Sequence, residues 1–239
     1  MTVIDEVRAE LAAAADPARA VAGARYLQTG VGGYAEGDRV LGVPVPAQRA
    51  VVRRHWRAVP FGDVVDLLQS PWHEERLTAL LLLVRKFEAG GPDERRTIVE
   101  VYLASTARVN NWDLVDSSAP YLLGAWLLDR DSAVLDRLAG SPLVWDRRIA
   151  ILATFAFIRA DRFERSLELA ERLLRDEHDL IHKAVGWMLR EIGNRDRAVE
   201  EAFLARHYTQ MPRTMLRYAI EKFAPDRRAA YLTGSVAPS

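Results

Sequence analysis

Apolar residues return every three or four positions along almost the whole chain, as at Leu77, Leu80, Leu81 and Val84 and again at Leu169, Ala170, Leu173 and Leu174. That spacing gathers them on one face of a helix, whereas a strand needs strict alternation, and no convincing alternation occurs. The runs are interrupted at Asp16-Pro17, Pro60, Ser70-Pro71, Gly90-Gly91-Pro92, Asn110-Asn111, Ser141-Pro142, Gly193-Asn194 and Met211-Pro212, residues that end or cap helices. The pattern predicts an all-α protein. One long stretch fits no helix: residues 29–47, with Gly30 to Pro46 at its centre, read as an irregular loop of functional or packing importance. Residues from about 233 to 239 read as a disordered tail.

The residue that opens each apolar helix also recurs. Arg76, Asn111, Arg148, Lys183 and Arg217 stand 35, 37, 35 and 34 residues apart. A period near 35 with two helices per unit predicts a curved α-solenoid of HEAT-like repeats, in which each pair buries its apolar face against its neighbours. A single domain over residues 1–239 is expected, with the inner helices lining a concave surface.

Composition narrows the class. The 239 residues carry 33 basic and 33 acidic side chains, so net charge argues neither for nor against a polyanionic partner. Only Lys86, Lys183 and Lys222 are lysines and the other basic residues are arginines, whose planar fork suits phosphate. If the repeat markers are equivalent, Arg148, Lys183 and Arg217 share one side of the concavity, and a local basic groove coexists with zero net charge. After Glu201 the balance turns basic, with Arg206, Arg213, Arg217, Lys222, Arg227 and Arg228 against Glu221 and Asp226. The absence of cysteine excludes disulfides, thiolate metal sites and a thiol nucleophile. The acidic start and the lack of a long apolar run predict neither secretion nor membrane insertion, and a cytoplasmic location is expected.

The segment from Asn111 to Pro120 carries the densest chemistry. Trp112 and Asp116 are one helical turn apart on a shared face, and the ring of Pro120 clashes with the carbonyl of Asp116 in a regular helix. An indole beside a carboxylate at a helix irregularity has the look of a site. Asn111 and Asp113 are explained as cap and first-turn residues; Asp116, past the first turn, is not, and site and packing readings stay balanced on these residues alone. Trp187 lies between Lys183 and Glu191, beside Gly186, which costs about 1 kcal/mol relative to alanine in a helix interior. Close approach of another group is one reason for it. Trp56, Trp72, Trp126 and Trp145 are assigned to packing. His178 and His182 have the spacing of a helical metal pair but lack a third ligand, so they read as solvated or capping, and no metal is expected. Gly30, Gly32 and Gly33 neither follow a strand nor open a helix, which removes a phosphate-cradle reading.

Taken together, Ala24 to Tyr26, Leu41 to Pro46 leading to Arg49, Asn111 to Ser118 with Pro120, Trp145 to Ile151, Ile181 to Glu191 and Met211 to Glu221 resemble the DNA alkylation repair proteins of the AlkD type, built from HEAT-like repeats. The resemblance covers nearly the whole chain. It implies a DNA glycosylase that hydrolyses the N-glycosidic bond of cationic N3- or N7-alkylpurines in duplex DNA without flipping the base, needs no cofactor and acts as a monomer. It implies Asp116 as the catalytic carboxylate, Trp112 and Trp187 as the aromatic pair flanking the deoxyribose, and Tyr26 as support on the lesion side. It also implies Arg148 on the DNA backbone, with Lys183, Arg190, Arg213 and Arg217 completing the expected DNA-binding set. The longer Gly30 to Asp38 stretch, and Asn111 where an aromatic stands in the best-known branch, suggest a branch whose substrates include bulky adducts. A catalytically silent DNA binder and a protein-binding scaffold are the competing readings.

Overall fold

The computed structural model describes residues 2–236. Among these the chain is all-helical, its extended pairing limited to an isolated bridge between Arg39 and Trp72. Contacts group it into two compact units, Met1–Trp126 and Leu127–Ser239.

In the first unit, α1 (Val3–Ala13) and α2 (Pro17–Tyr26) open from side-chain caps: Thr2 and Asp5 form a reciprocal capping box, and Asp16 accepts from the amides of Ala18 and Arg19. Next come α3 (Val45–His55), α4 (Phe61–Leu68), α5 (His73–Ala89), α6 (Pro92–Ala104) and the short α7 (Trp112–Asp116). A π-helical turn, Pro120–Gly124, then leads into α8 (Ala125–Leu127). The helix breaks fall at the expected prolines and glycines, with one shift. α3 begins at Val45 rather than after residue 47, because Pro46 sits in the first turn, where a missing amide hydrogen leaves no bond unmade. α5 buries twelve of its seventeen residues and packs against α1, α3, α4, α6 and α7. A helix buried on all sides is the centre of its unit.

The second unit comprises α9 (Ala133–Ala139), α10 (Val144–Ala153), α11 (Phe155–Arg159), α12 (Glu164–Arg172), α13 (Asp179–Arg195), α14 (Arg197–His207), α15 (Arg213–Ala219) and α16 (Pro225–Thr233). Here α10 packs on α13 and α13 on α15, while α9, α12 and α14 flank them. The second helix of each pair thus stacks on the second helix of the next, the helical-repeat arrangement that the spacing of Arg148, Lys183 and Arg217 predicts. α16 extends through Thr233, and Gly234 ends it in the left-handed conformation; residues 237–239 of the expected tail lie outside the described residues. No helix among the described residues is long and apolar enough to cross a membrane.

Two glycines of α13 act by size. α13 runs through Gly193-Asn194, an expected break, to Arg195, and Asp196 then caps α14. A Cβ on Gly193 would overlap the Glu200 carboxylate of α14, so the glycine makes room for a packed neighbour and does not stop the helix. At Gly186 a Cβ would lie 2.4 Å from the Met215 carbonyl oxygen and 2.6 Å from Tyr218 Cβ. The close approach expected there is therefore that of α15.

Gly186→Ala should lower stability by about 1–3 kcal/mol despite alanine's better helix propensity, because α15 has to move. A Tm at or above that of the parent protein would show that α15 yields freely. Glu200 supplies a second test. It is buried, Oε2 accepts from Arg197 at 3.1 Å, and Oε1 has no partner among the described residues. Burial pushes its carboxyl up to about 8, against the pull of Arg197 and Arg190, and with Glu201 adding to the rise. The folded protein then holds a proton that the unfolded chain, with the ordinary value of 4.5, releases, so stability should fall as pH rises between these values and level off above. Glu200→Gln should flatten the pH dependence of Tm in that window; identical slopes would mean that the buried carboxyl ionises without cost.

Candidate active site

Trp112, Asp116 and Tyr26 all belong to the first unit. α7 is only five residues long, capped at Asn111 and ended at Asp116. The reason is Pro120, which has no amide to offer the Asp116 carbonyl. The chain continues as a π turn, in which the amide of Gly124 reaches the Ala119 carbonyl at 2.9 Å. Asp116 is half-buried at this irregularity, and Trp112 one turn earlier is half-buried too. The ring of Tyr26, 68% exposed at the end of α2, meets the Trp112 indole edge-on, with centroids 5.5 Å apart and planes at 86°. Asn111 explains how two distant segments keep this register. Fully buried, it donates from Nδ2 to the Leu27 carbonyl at 3.1 Å, joining the residue after Tyr26 to the residue before Trp112. An aromatic in its place could not make that bond.

The first turn of α5 fixes the surrounding loops. His73 Nε2 lies 2.8 Å from Asp113 Oδ2, holding the first turn of α7. Glu74 accepts from the amides of Leu41, Gly42 and Val43 at 2.8, 2.7 and 3.3 Å. Gly42 has φ +81°, and a Cβ there would lie 2.2 Å from the Asp16 carbonyl oxygen, so glycine is required. Arg76 is fully buried. It pairs with Asp38 and donates to Asn110 Oδ1 at 2.9 Å and to the Ser70 carbonyl at 2.9 Å. Burial pulls its guanidinium below the usual arginine value, with Asp38 opposing. The irregular 27–44 segment is thus tied down by a carboxylate, a guanidinium and the backbone pairing of Arg39 with Pro71 and His73.

Asp116 lines a groove of about 430 Å³ together with Ser117 and Tyr121 of its own turn, Arg49, Val52 and Arg53 of α3, and Leu81, Val84, Arg85 and Glu88 of α5. A carboxylate in a groove rich in arginine, with an indole one turn away, can stabilise a cationic centre while the arginines attract an anion.

The second unit holds the remaining expected site residues. Trp187 is half-buried on α13; its indole tilts 47° against Phe155 at 5.9 Å, and Nε1 donates to Glu191 Oε1 at 2.8 Å. Arg148, expected on DNA, is 4% exposed and donates to the Leu180 carbonyl at 2.6 Å, so α10 and α13 share it. Lys183 pairs with Asp179 at 2.7 Å, Arg190 pairs with Glu221, and Arg213 donates to the Leu232 carbonyl near the end of α16. Arg217 is exposed on α15 and has no ion pair among the described residues. Equivalent repeat positions therefore do not give equivalent exposure, because Arg76 and Arg148 bind neighbouring segments. His178 accepts from the Leu180 amide at 3.1 Å as the cap of α13, and His182 meets the Asp176 carbonyl, as a capping role requires.

Arg49, Arg53 and Arg85 are site residues that sequence reasoning left without a role. The four-residue spacing of Arg49 and Arg53 shows that they share a helix face, but nothing in the sequence shows that this face lines a groove with Asp116.

These observations define a helical-repeat protein with a tryptophan and a carboxylate at a helix irregularity beside a basic groove. The family model for DNA alkylation repair enzymes matches residues 7–223, and the chain belongs to that family. Among solved structures it is similar to a predicted DNA alkylation repair enzyme from Enterococcus faecalis, with a TM-score of 0.69 and 16% identity over 88% of this chain and 97% of that one. This likeness concerns the fold. None of the curated proteins compared matches the chain.

Arg76→Met should cost about 3–5 kcal/mol in chemical denaturation, since it leaves Asp38 and Asn110 without their guanidinium, and should speed amide exchange at Leu41 to Val43. A loss below about 1 kcal/mol would show that the clamp is dispensable.

Proposed function

We propose that this repair-family protein is a monofunctional DNA glycosylase that hydrolyses the N-glycosidic bond of N3- or N7-alkylated purines in duplex DNA. The observation that supports this reading most is the placement of Asp116 at the end of α7, half-buried in an arginine-lined groove one turn from Trp112. An alkylated purine already bears positive charge and can leave without a general acid. The difficulty is then the deoxyribose cation left behind. The Asp116 carboxylate stabilises that cation and orients water toward C1′, while the indole of Trp112 attracts it through cation–π interaction worth roughly 0.5–2 kcal/mol. Trp187 is proposed as a further catalytic aromatic on the strength of the family resemblance, and Tyr26, in T-shaped contact with Trp112, as support on the lesion side.

On this reading Arg217, exposed and without an ion pair among the described residues, offers its charge to phosphate, and Arg148 remains a proposed DNA-backbone contact that also ties α10 to α13. A monomer working on DNA in the cytoplasm, on the nucleoid, accords with it. Because the carboxylate and the indole act on the sugar, the alkyl group need not be enclosed, and bulky N3-adducts fall within the substrate class. A silent DNA binder would need the arginines but not a carboxylate beside an indole.

Asp116→Asn should reduce excision at least a hundredfold, about 2.7 kcal/mol in the barrier, with Tm and DNA affinity nearly unchanged. An Asn variant of full activity would remove Asp116 from the chemistry. Water is the nucleophile here, so the wild type should leave an intact abasic strand, and borohydride should trap no covalent protein–DNA adduct.

A further inference from the structure

We infer that Arg49 and Arg53 of α3 form a seat for the DNA phosphates that adjoin the deoxyribose attacked at Asp116, a positioning role that rests on the function proposed above. The two arginines are four residues apart, so they emerge on one face of α3 with Cβ atoms about 5–6 Å apart, a spacing that suits neighbouring phosphates of one strand. Both are exposed, both line the Asp116 groove, and neither has an ion pair among the described residues. The contrast with the rest of the helix end is informative. Arg54, next in sequence, turns to Glu10 of α1, which also meets His55 at 2.9 Å, and Arg85, across the same groove, is held by Glu88 at 2.6 Å. Arg49 and Arg53 instead stand exposed at the groove that Asp116 lines.

An unpaired arginine pair facing a carboxylate groove is suited to a ligand that is anionic at one point and cationic at another. A sugar–phosphate whose C1′ becomes positive as the base departs has this pattern. Phosphates on Arg49 and Arg53 direct the sugar toward Asp116, while apolar Val52, Leu81 and Val84 in the same groove suit the hydrocarbon edge of deoxyribose. The arginines touch no reacting atom. Their contribution is to hold the strand in register, and their charge reaches phosphate more effectively as a bidentate fork than a lysine's point charge would.

The test uses the full chain and a duplex containing a tetrahydrofuran abasic-site analogue, so that binding is read without excision. The double variant Arg49→Ala/Arg53→Ala should retain the parent Tm, since both side chains are exposed. It should lower the slope of log K against log salt by about 2, as two phosphate contacts contribute about 0.9 each. Neutral methylphosphonates placed singly along the strand should weaken the wild type most at the phosphates flanking the analogue, and the double variant should be insensitive there alone. Arg49→Lys/Arg53→Lys should keep the salt slope. An unchanged slope in the alanine variant would overturn the assignment. So would equal sensitivity to every methylphosphonate, which reports diffuse attraction. Excision is measured separately on alkylated duplex: its absence in the wild type would sink the glycosylase reading while leaving the phosphate seat to be judged by the binding data.

Discussion

The first turn of α5 is the constraint on which the candidate site depends. Four consecutive polar residues, His73 to Arg76, are buried at the start of an otherwise apolar helix, an arrangement that is costly unless each finds partners. Each has at least one partner, although His73 Nδ1 and Arg76 Nε have none among the described residues, and three of the four reach α7, Asn110 or the loop before α3. His73 holds the start of α7, Glu74 gathers three amides of the loop before α3, Glu75 lies 3.7 Å from Arg8 of α1, and Arg76 joins that loop to Asn110. Trp112, Asp116 and the α3 arginines are therefore placed by a single rigid turn, although Arg49 and Asp116 stand 67 residues apart in the chain. In the proposed reaction, preorganisation of this kind would let a carboxylate on a five-residue helix meet a developing charge without reorganisation.

Much of this was legible in the sequence. The all-helical class followed from apolar spacing, and the helix starts at Pro17, Phe61, Pro92 and Trp112 followed from proline, glycine and asparagine. The disruption after Asp116 followed from Pro120. What was missed shares one cause: a residue chosen for its contacts with a distant segment leaves no local trace. Gly193 reads as a helix stop but is a notch for Glu200; Arg148 reads as a groove cation, while its bond from α10 to the Leu180 carbonyl of α13 is invisible along the chain; Asn111 reads as a cap, which it is, while its bond to Leu27 is likewise invisible. Arg49 and Arg53 were hidden for a related reason: their i, i+4 spacing puts them on one helix face, but nothing along the chain shows that this face meets Asp116, about 65 residues away.

Arginine does two jobs in this chain, and burial separates them. Arg76 bonds Asp38 and Asn110, and Arg148 the Leu180 carbonyl, each about one repeat away, whereas Arg49, Arg53 and Arg217 are exposed and have no ion pair among the described residues. A neutral protein can thus offer a polyanion local cationic positions, and the many arginines are not interchangeable sites of interaction.

The most direct measurement is release of free base from a duplex containing a single N7-methylguanine or N3-alkyladenine, with protein in excess. The account predicts that alkylated base appears in solution, that the normal purines stay in place, and that an abasic site remains in an unbroken strand. Stable binding of the same duplex with no base released over hours would contradict it and would leave a DNA-binding protein without glycosylase chemistry.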